Sequence, residues 1–352
     1  MTGASAAVGG ETSTDSWQRI STPASTVGPW LPEGDLGARL AEGLGRVEEA
    51  LLSAVGSEHA FVREAAGHLV AAGGKRFRPL LALLAAELGD PQAAGVTEAA
   101  VVCELTHLAT LYHDDVMDEA AVRRGAPSAN SRWSNSIAIL TGDFLFARAS
   151  DLLADLGPEA VRIQARTFER LVTGQIRETV GAQPGDDPVA HYLEVLADKT
   201  GSLVATSARF GASFAGVEAE LVAALTAFGE EVGVAFQLSD DLLDIVSQDG
   251  ASGKSPGTDL REGIATLPAL FALAGDDPAE QRLRELVSGP ITDDTEHAEA
   301  LELLRSSAAL QRATEVLREY ADRAQARLSG VPEGPVREAL AALCDYVVTR
   351  TS

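Results

Sequence analysis

The spacing of apolar residues constrains the fold of this chain most strongly. From about Leu36 onward, Ala-, Leu- and Val-rich stretches repeat at three- and four-residue intervals, as in Leu80, Leu83, Leu84 and Leu88, which is the period of one helix face. Strand signals are nearly absent, and no Asn-Gly or Asp-Gly hairpin lies between two apolar runs. Breaks rich in Gly and Pro separate these stretches. The pattern predicts an all-α fold larger than a simple four-helix bundle.

The composition divides the chain into two parts. Residues 1–35 are rich in Ser, Thr, Gly and Pro without an apolar period, which predicts a flexible N-terminal arm. Residues 36–352 show no internal repeat of solenoid length. A hydrophobic content of 45% over 352 residues is sufficient for a sizeable core. We therefore predict a single all-helical domain over residues 36–352.

The net charge and the cysteine count restrict partners and compartment. A formal charge of −24 disfavours binding to nucleic acid or to an anionic membrane surface. No run of eighteen apolar residues and no secretory signal is found, so we expect no transmembrane segment and a soluble, cytoplasmic protein. Cys103 and Cys344 are the only cysteines, which predicts reduced, buried thiols rather than a disulfide framework.

Two acidic motifs share one spacing. The segment TEAAVVCELTHLATLYHDDVMDEA contains no helix breaker, so its three aspartates should share a helix face: Asp114, Asp115 and Asp118. A single such triad is typical of a solvated acidic surface. The segment FQLSDDLLDIV repeats the spacing in a second apolar helix, at Asp240, Asp241 and Asp244. Two triads of carboxylates without His or Cys suit Mg²⁺ bound together with substrate phosphates.

A phosphate-bearing substrate needs counter-charges, and this acidic chain concentrates its cations in a few segments. GGKRFRP contains Lys75, Arg76 and Arg78, and Arg123 and Arg124 follow the first triad. Further candidates are Lys199 and Thr200 in DKTGS and Lys254 in GASGKSPGTD. Each alone is typical of a helix terminus or a solvated loop. Together with the triads they predict a pocket for two diphosphates, one held through metal and the other by Arg and Lys.

Six segments in this order resemble the motif set of the trans-isoprenyl diphosphate synthases, also called polyprenyl synthetases. They are GGKRFRP, LATLYHDDVMDEAAVRRGAPSAN, LTGDFLFARA, DKTGSL, FQLSDDLLDI and GKSPGTDLREGIATLP. The resemblance spans roughly residues 60–270. It implies antiparallel helices around a deep central cavity, usually in a homodimer. The implied reaction is head-to-tail condensation of an allylic diphosphate with isopentenyl diphosphate, with on the order of two or three Mg²⁺ ions.

The resemblance also implies roles for single residues. The two aspartate triads would bind Mg²⁺ on either side of the allylic diphosphate. The headgroup of that substrate would contact Arg123, Lys199, Thr200, Gln237 and Lys254. Isopentenyl diphosphate would be held by Lys75, Arg78, His107 and Arg124, with Arg76 as a further candidate in the same motif. Many relatives carry a lysine where this chain has Ile264, so one headgroup cation of the family is missing.

Product length depends on the floor of the cavity. Val102, Thr106 and Ala109 should lie on successive turns running away from Asp114, and all three are small or medium-sized. Short-chain members of the family usually carry an aromatic residue about one turn before the first triad, where this chain has Ala109 and Thr110. We therefore expect a long all-trans product, heptaprenyl to nonaprenyl or beyond. A geranylgeranyl or farnesyl product is the alternative.

Three other classes of protein share parts of this motif pattern. A terpene cyclase also ionises a prenyl diphosphate, but the second triad and GGKRFRP disfavour it. A head-to-head synthase is disfavoured by the same isopentenyl motif. A non-catalytic subunit would have little reason to keep both triads and both arginines, Arg123 and Arg124.

Overall fold

The computed structural model describes residue 32, residues 34–247 and residues 256–351. The predicted arm lies almost wholly outside these residues, and Lys254 also lies outside them. Within them the chain forms helices joined by short connections: α1 (Asp35–Ala54), α2 (Ala60–Ala71), α3 (Phe77–Ala86), α4 (Val96–Met117), α5 (Ala129–Arg132), α6 (Asn135–Leu156), α7 (Pro158–Val180), α8 (Pro188–Leu196), α9 (Ser202–Phe214), α10 (Ala219–Val246), α11 (Thr258–Glu262), α12 (Leu267–Ala274), α13 (Gln281–Leu286), α14 (Asp294–Arg305), α15 (Ala308–Arg327) and α16 (Pro335–Thr349).

The core surrounds the two helices that carry the aspartate motifs. Helix α4 packs on α3, α6 and α9, and helix α10 packs on α9 and α15. Side chains on both helices are fully buried, including Leu105, Leu108 and Tyr112 on α4 and Phe228 and Val232 on α10. Burial of so many large apolar groups supplies the main driving force for folding. The predicted all-α architecture is confirmed.

Both aspartate motifs lie at the C-terminal ends of their helices. Helix α4 ends at Met117, and Asp118 is its C-terminal cap rather than a residue inside the helix. The second motif occupies the last two turns of α10, which ends at Val246. Negative side chains at a helix C-terminus are unfavourable because the helix dipole places partial negative charge there. Helix stability therefore does not explain these carboxylates.

A small hairpin follows the first motif and was not predicted. Strands β1 (Val122–Arg123) and β2 (Ala126–Pro127) pair antiparallel. The two turn residues, Arg124 and Gly125, have φ of 54° and 76°, as a tight hairpin turn with two left-handed residues requires. Arginine is an uncommon residue in this conformation, so this segment carries no ordinary hairpin signal.

A π-helical turn, Ala197–Gly201, joins α8 to α9 and carries Lys199 and Thr200. Such turns occur frequently at functional sites. Helix α7 passes close by at Gly174, where an added Cβ would lie 2.7 Å from the backbone nitrogen of Lys199. The close packing of these two elements therefore requires glycine at position 174.

Among the helices in the described residues, α10 is long and apolar enough to cross a bilayer by length and composition. One such helix is weak support for a membrane span, because the core helix of a soluble protein has the same properties. Helix α10 packs on α9 and α15 in the core.

Candidate active site

The first carboxylate motif meets the arginine of the hairpin. Asp115 is fully buried, and its Oδ1 accepts a hydrogen bond of 2.5 Å from Nε of Arg123. Its Oδ2 is buried and has no hydrogen-bond partner among the described residues. Burial raises the pKa of Asp115, and the neighbouring Arg123 opposes this rise. Asp118 is more exposed, with Oδ2 3.9 Å from Nη2 of Arg123. Arg123 therefore lies between two of the three carboxylates.

The third carboxylate of this motif faces the π-helical turn. Burial raises the pKa of Asp114 to about 6, and the charge of Lys199 lowers it. The ammonium of Lys199 donates a hydrogen bond of 2.6 Å to Glu178 of α7. The DKTGS segment thus lies beside the first motif, as the resemblance implied.

The second motif is held by polar side chains. Asp241 is buried and accepts hydrogen bonds from the hydroxyl of Tyr192 and from Nε2 of Gln237, the latter at 2.9 Å. Burial raises the pKa of Asp241 to about 6, and both hydrogen bonds oppose this rise. Gln237 also lies 3.5 Å from the hydroxyl of Thr200. A polar chain therefore connects the π-helical turn with Asp241.

The other two carboxylates of the second motif contact later parts of the chain. Oδ1 of Asp240 lies 2.9 Å from Nη1 of Arg350, at the end of α16. The guanidinium of Arg350 lies 4.2 Å from the ring centroid of Phe236. Oδ2 of Asp244 accepts a hydrogen bond of 3.2 Å from the backbone nitrogen of Asp259. The C-terminus and α11 thus pack against this motif.

The carboxylates are suited to a hard divalent cation. All candidate ligands are oxygens, Asp115 Oδ2 is buried and unpaired within the part of the chain that the structure describes, and burial raises the pKa values of Asp114 and Asp241. A nearby cation would satisfy that oxygen and lower both pKa values. Within the described residues, no three His, Cys, Asp or Glu side chains converge as a preformed metal cluster. Water and phosphate oxygens would have to complete the coordination, as is usual for Mg²⁺.

A separate arginine cluster surrounds Glu104 of α4, which is buried. Its Oε1 lies 3.0 Å from Nη1 of Arg76 and 3.8 Å from Nη2 of Arg124. Arg76 also pairs with Glu48 and donates to the carbonyl oxygen of Val70 at 3.1 Å. The guanidinium of Arg76 is therefore occupied by protein groups, in contrast to the predicted substrate contact.

The other members of the predicted isopentenyl site include a buried arginine nitrogen without a partner among the described residues, a histidine with a lowered pKa and a lysine beside an aromatic ring. Nε of Arg78 is buried, and no described residue forms a hydrogen bond with it. Burial, with the charges of Arg78 and Arg124, lowers the pKa of His107 well below its ordinary value, so this imidazole is neutral at pH 7. Nζ of Lys75 lies 5.8 Å from the ring centroid of Phe236, on the helix of the second motif.

The glycine pair before these cations permits their approach. Gly74 has φ of 143°, and an added Cβ would lie 2.8 Å from the guanidinium carbon of Arg124. Nη1 of Arg124 donates to the carbonyl oxygens of Leu69 and Gly73. The GGKRFRP segment and the hairpin therefore interlock, although they are far apart in sequence.

The residues predicted to control product length are inside the core. Val102, Thr106 and Ala109 are fully buried. The hydroxyl of Thr106 accepts a hydrogen bond of 2.7 Å from Nε2 of Gln164 on α7, and that of Thr110 donates to the carbonyl oxygen of His107 at 2.8 Å. These residues therefore lie along α4 beneath the first motif, as the helical spacing predicted.

Sequence reasoning missed Glu104, Tyr192 and Gln164. A charged residue inside the apolar segment VVCELTHLAT is a signal for a buried ion pair, and it could have identified Glu104. Tyr192 and Gln164 have ordinary helical surroundings. Their partners, Asp241 and Thr106, lie on other helices, so no local pattern identifies them.

Known proteins are similar to this chain in sequence and in fold. The polyprenyl synthetase family profile matches residues 59–304. Nonaprenyl diphosphate synthase of Mycobacterium tuberculosis is 51% identical over 331 residues, which cover 94% of this chain and 99% of that protein.

Solved structures of prenyl diphosphate synthases have a similar fold. Geranylgeranyl pyrophosphate synthase of Corynebacterium glutamicum, crystallised with calcium and isoprenyl diphosphate, superposes with a TM-score of 0.83. It is 46% identical and covers 91% of this chain and 99% of its own. A decaprenyl diphosphate synthase of Rhodobacter capsulatus has a TM-score of 0.81 at 34% identity, covering 90% of this chain and 98% of its own.

The chain therefore belongs to the polyprenyl synthetase family, the trans-isoprenyl diphosphate synthases. It is an enzyme of the prenyltransferase class, as its motifs indicated. The terpene-cyclase and head-to-head alternatives have no support among these relatives.

Proposed function

We propose that this enzyme condenses an allylic diphosphate with isopentenyl diphosphate, head to tail and with Mg²⁺, to form a long all-trans polyprenyl diphosphate. One observation carries the proposal. Two carboxylate motifs meet the same π-helical turn, through Asp114 beside Lys199 and through Asp241, Gln237 and Thr200. An arginine cluster surrounds Glu104 on α4, the helix that carries the first of these motifs. Two anion sites, one metal-dependent and one not, match a reaction between two diphosphates.

In this proposal the six aspartates hold on the order of two or three Mg²⁺ ions: Asp114, Asp115, Asp118, Asp240, Asp241 and Asp244. Bound Mg²⁺ would neutralise charge that develops on the departing diphosphate. Arg123 and Lys199 add fixed positive charge near the same oxygens. Thr200 and Gln237 orient Asp241 and offer hydrogen bonds to the headgroup. Lys254 keeps its proposed headgroup contact, although it lies outside the described residues.

Isopentenyl diphosphate would be bound directly by cations. Lys75, Arg78 and Arg124 supply the charge, and the guanidinium groups suit phosphate oxygens. His107, held neutral, can donate one hydrogen bond without adding charge. Arg76 instead supports this site through contacts with the protein, because Glu48 and Glu104 occupy its guanidinium.

The chemistry requires no protein nucleophile. The allylic carbon–oxygen bond breaks to give a delocalised cation, the isopentenyl double bond attacks that carbon, and a proton then leaves to the departing diphosphate. Water would trap the cation, so the cavity must be dry and apolar. The stacked rings of Phe77 and Phe236, with centroids 4.9 Å apart, fit such a lining between the two substrate sites.

A long product is supported by the absence of an aromatic side chain at Ala109 and Thr110 and by the nonaprenyl synthase relative at 51% identity. Val102 and Thr106 continue the same line of small and medium-sized residues. A geranylgeranyl product is the second candidate, favoured by the structure of that name at 46% identity.

We also propose a homodimer in the cytoplasm. Helix α7 exposes Val161, Val172 and Ile176, and helix α6 exposes Ile139 and Leu140. Contiguous exposed apolar residues mark interaction surfaces. The acidic net charge of −24 disfavours an anionic membrane as the partner of this surface.

The test is incubation of the purified protein with Mg²⁺, labelled isopentenyl diphosphate and, separately, dimethylallyl, geranyl, farnesyl and geranylgeranyl diphosphates. The dephosphorylated products are then separated by chromatography. A ladder ending at a long prenol is expected. A ladder ending at geranylgeraniol would support the second candidate, and label that stays in isopentenyl diphosphate in a folded, metal-replete sample would contradict the proposed reaction.

A further inference from the structure

A buried polar layer crosses the bundle below the first aspartate motif. Nε2 of Gln164 donates to Oγ1 of Thr106 at 2.7 Å, and the hydroxyls of Thr167 and Thr206 are 2.6 Å apart. All four side chains are buried and come from α4, α7 and α9. Thr106 precedes Asp114 by about two helical turns, or about 12 Å along α4. We call this set the polar layer.

The layer contains an unsatisfied group. The Thr106 hydroxyl donates to the carbonyl oxygen of Val102 at 2.8 Å, so it can only accept from Gln164, which fixes the amide orientation. Oε1 of Gln164 is then buried without a hydrogen-bond partner in residues 34–247 and 256–351. Burial of an amide oxygen without a hydrogen bond costs free energy of desolvation, and apolar side chains in place of Thr106 and Gln164 would avoid that cost. This cost indicates that Gln164 does more than fill the core.

Buried apolar side chains continue beyond the polar layer. One turn further on, Val102, Ala160 and Phe210 form a buried cluster. Ala160 and Phe210 also line a cleft of about 810 Å³ between α7, α9 and α10. The cleft is open to solvent at Ala223 and has mainly apolar walls, including Leu156, Ile163, Phe214 and Val222.

The length of the bundle limits what the interior can hold. From Asp114 to the start of α4 at Val96 the helix extends about 27 Å. An extended nonaprenyl chain is longer than this distance. If the product is long, its tail must leave the bundle at the end remote from the aspartates, where the cleft lies.

We infer that the growing prenyl chain leaves the bundle through this cleft, and that the hydrogen bond between Thr106 and Gln164 is the gate it displaces. This inference rests on the proposed long-chain function. A prenyl tail offers no hydrogen bond, so its passage leaves the Gln164 amide unpaired, while Thr106 keeps its hydrogen bond to the carbonyl oxygen of Val102. The polar layer therefore opposes passage of the prenyl chain. Intermediates that fill only the space between the aspartates and the polar layer are released more often than longer intermediates.

Three variants of the full-length enzyme test this inference, each assayed with Mg²⁺, farnesyl diphosphate and labelled isopentenyl diphosphate. Ala223→Trp obstructs the open side of the cleft, and its main product should be shorter by at least one isoprene unit. Gln164→Leu removes the polar gate at similar size, and the ratio of long to short prenols should rise several-fold. Ala326→Trp, at an exposed site on α15, is the matched control and should give the wild-type ratio.

Product ratios are compared at equal substrate turnover per active site. Thr226→Leu, which also lines the cleft, serves as a smaller obstruction if the tryptophan variant does not fold. A wild-type product distribution in a folded cleft variant would overturn the inference. A wild-type ladder that ends at geranylgeraniol would also overturn it, while leaving head-to-tail condensation intact. No incorporation by the wild-type enzyme would overturn the proposed function and the inference together.

Discussion

At the scale of single residues, Glu104 shows how an acidic protein assembles a cationic site. Arg76 and Arg124 converge on this one buried carboxylate, and its charge also acts on Arg78. Without it the three guanidinium groups would repel one another in a region with little water. Glu104 is therefore a positioning residue for the proposed isopentenyl site, since it contacts the arginines rather than the substrate.

Glu104→Gln keeps the shape of the side chain and removes its charge. We expect the free energy of unfolding to fall by about 3–5 kcal/mol, because the variant removes the buried counter-charge of Arg124 and leaves Arg76 with Glu48 alone. The KM for isopentenyl diphosphate should rise about tenfold or more, which corresponds to about 1.4 kcal/mol of binding, while the KM for the allylic substrate stays unchanged. Glu42→Gln, at an exposed ion pair with Arg46, is the control. An equal rise in both KM values would contradict the assignment.

The pKa of Asp241 predicts an unusual dependence of stability on pH. Because burial raises this pKa from 3.8 to about 6, the folded protein retains a proton that the unfolded chain has released between these values. In the metal-free protein, the free energy of unfolding should therefore fall by about 3 kcal/mol from this group as pH rises through that range.

Asp241→Asn tests this expectation. The metal-free variant should be more stable than the wild type at pH 8 and less sensitive to pH between about 4 and 6, as measured by urea unfolding. Its turnover with Mg²⁺ should fall by orders of magnitude. Asp155→Asn, at an exposed site on α6, should change neither property. A variant that is less stable than wild type at pH 8 would show that the charged form of Asp241 supports the fold.

At the scale of elements, the π-helical turn depends on its packing against α7. Gly174→Ala would place a methyl group 2.7 Å from the backbone nitrogen of Lys199, so the turn must shift. We expect a loss of about 1–3 kcal/mol in stability and a reduced kcat, because Lys199 and Thr200 move relative to both motifs. Gly45→Ala in α1, where the new Cβ meets nothing within 4 Å, should be stabilising by about 0.5–1 kcal/mol. Unchanged kcat in Gly174→Ala would indicate that the position of this turn does not matter for turnover.

The elements also show which features local sequence can predict. The helices follow from apolar spacing and from Gly and Pro breaks, and α4 and α10 lie where their motifs indicated. The hairpin at Arg124 and Gly125 could not be predicted in this way, since its left-handed arginine is held by contacts with Leu69 and Gly73. The resemblance supplied the substrate motifs, but it could not show that Glu48 and Glu104 occupy Arg76. Those contacts join helices remote in sequence, so only the fold reveals them.

At the scale of the whole molecule, the two ends of the bundle have different chemistry. The aspartates lie at the C-terminal ends of α4 and α10. The start of α7, the end of α9 and the start of α10 line the apolar cleft. Charge is thus concentrated where diphosphates would react, and apolar surface where a product tail would collect. Helices that cross the whole bundle connect the two ends without an intervening domain.

The apolar surface of α6 and α7 gives the last prediction. On α7, Val161, Phe168, Val172 and Ile176 follow one another at intervals of seven, four and four residues along one face, and Leu140 is 62% exposed on α6. A second copy that covers this surface would bury it and stabilise both subunits. Leu140→Glu combined with Ile176→Glu should therefore convert a dimer to a monomer and lower the thermal midpoint, as measured by light scattering and calorimetry. Leu52→Glu, at a site on α1 that is 42% exposed, should leave the dimer intact. A wild-type mass equal to one chain would contradict the proposed dimer, and a dimeric double variant would place its interface on another surface.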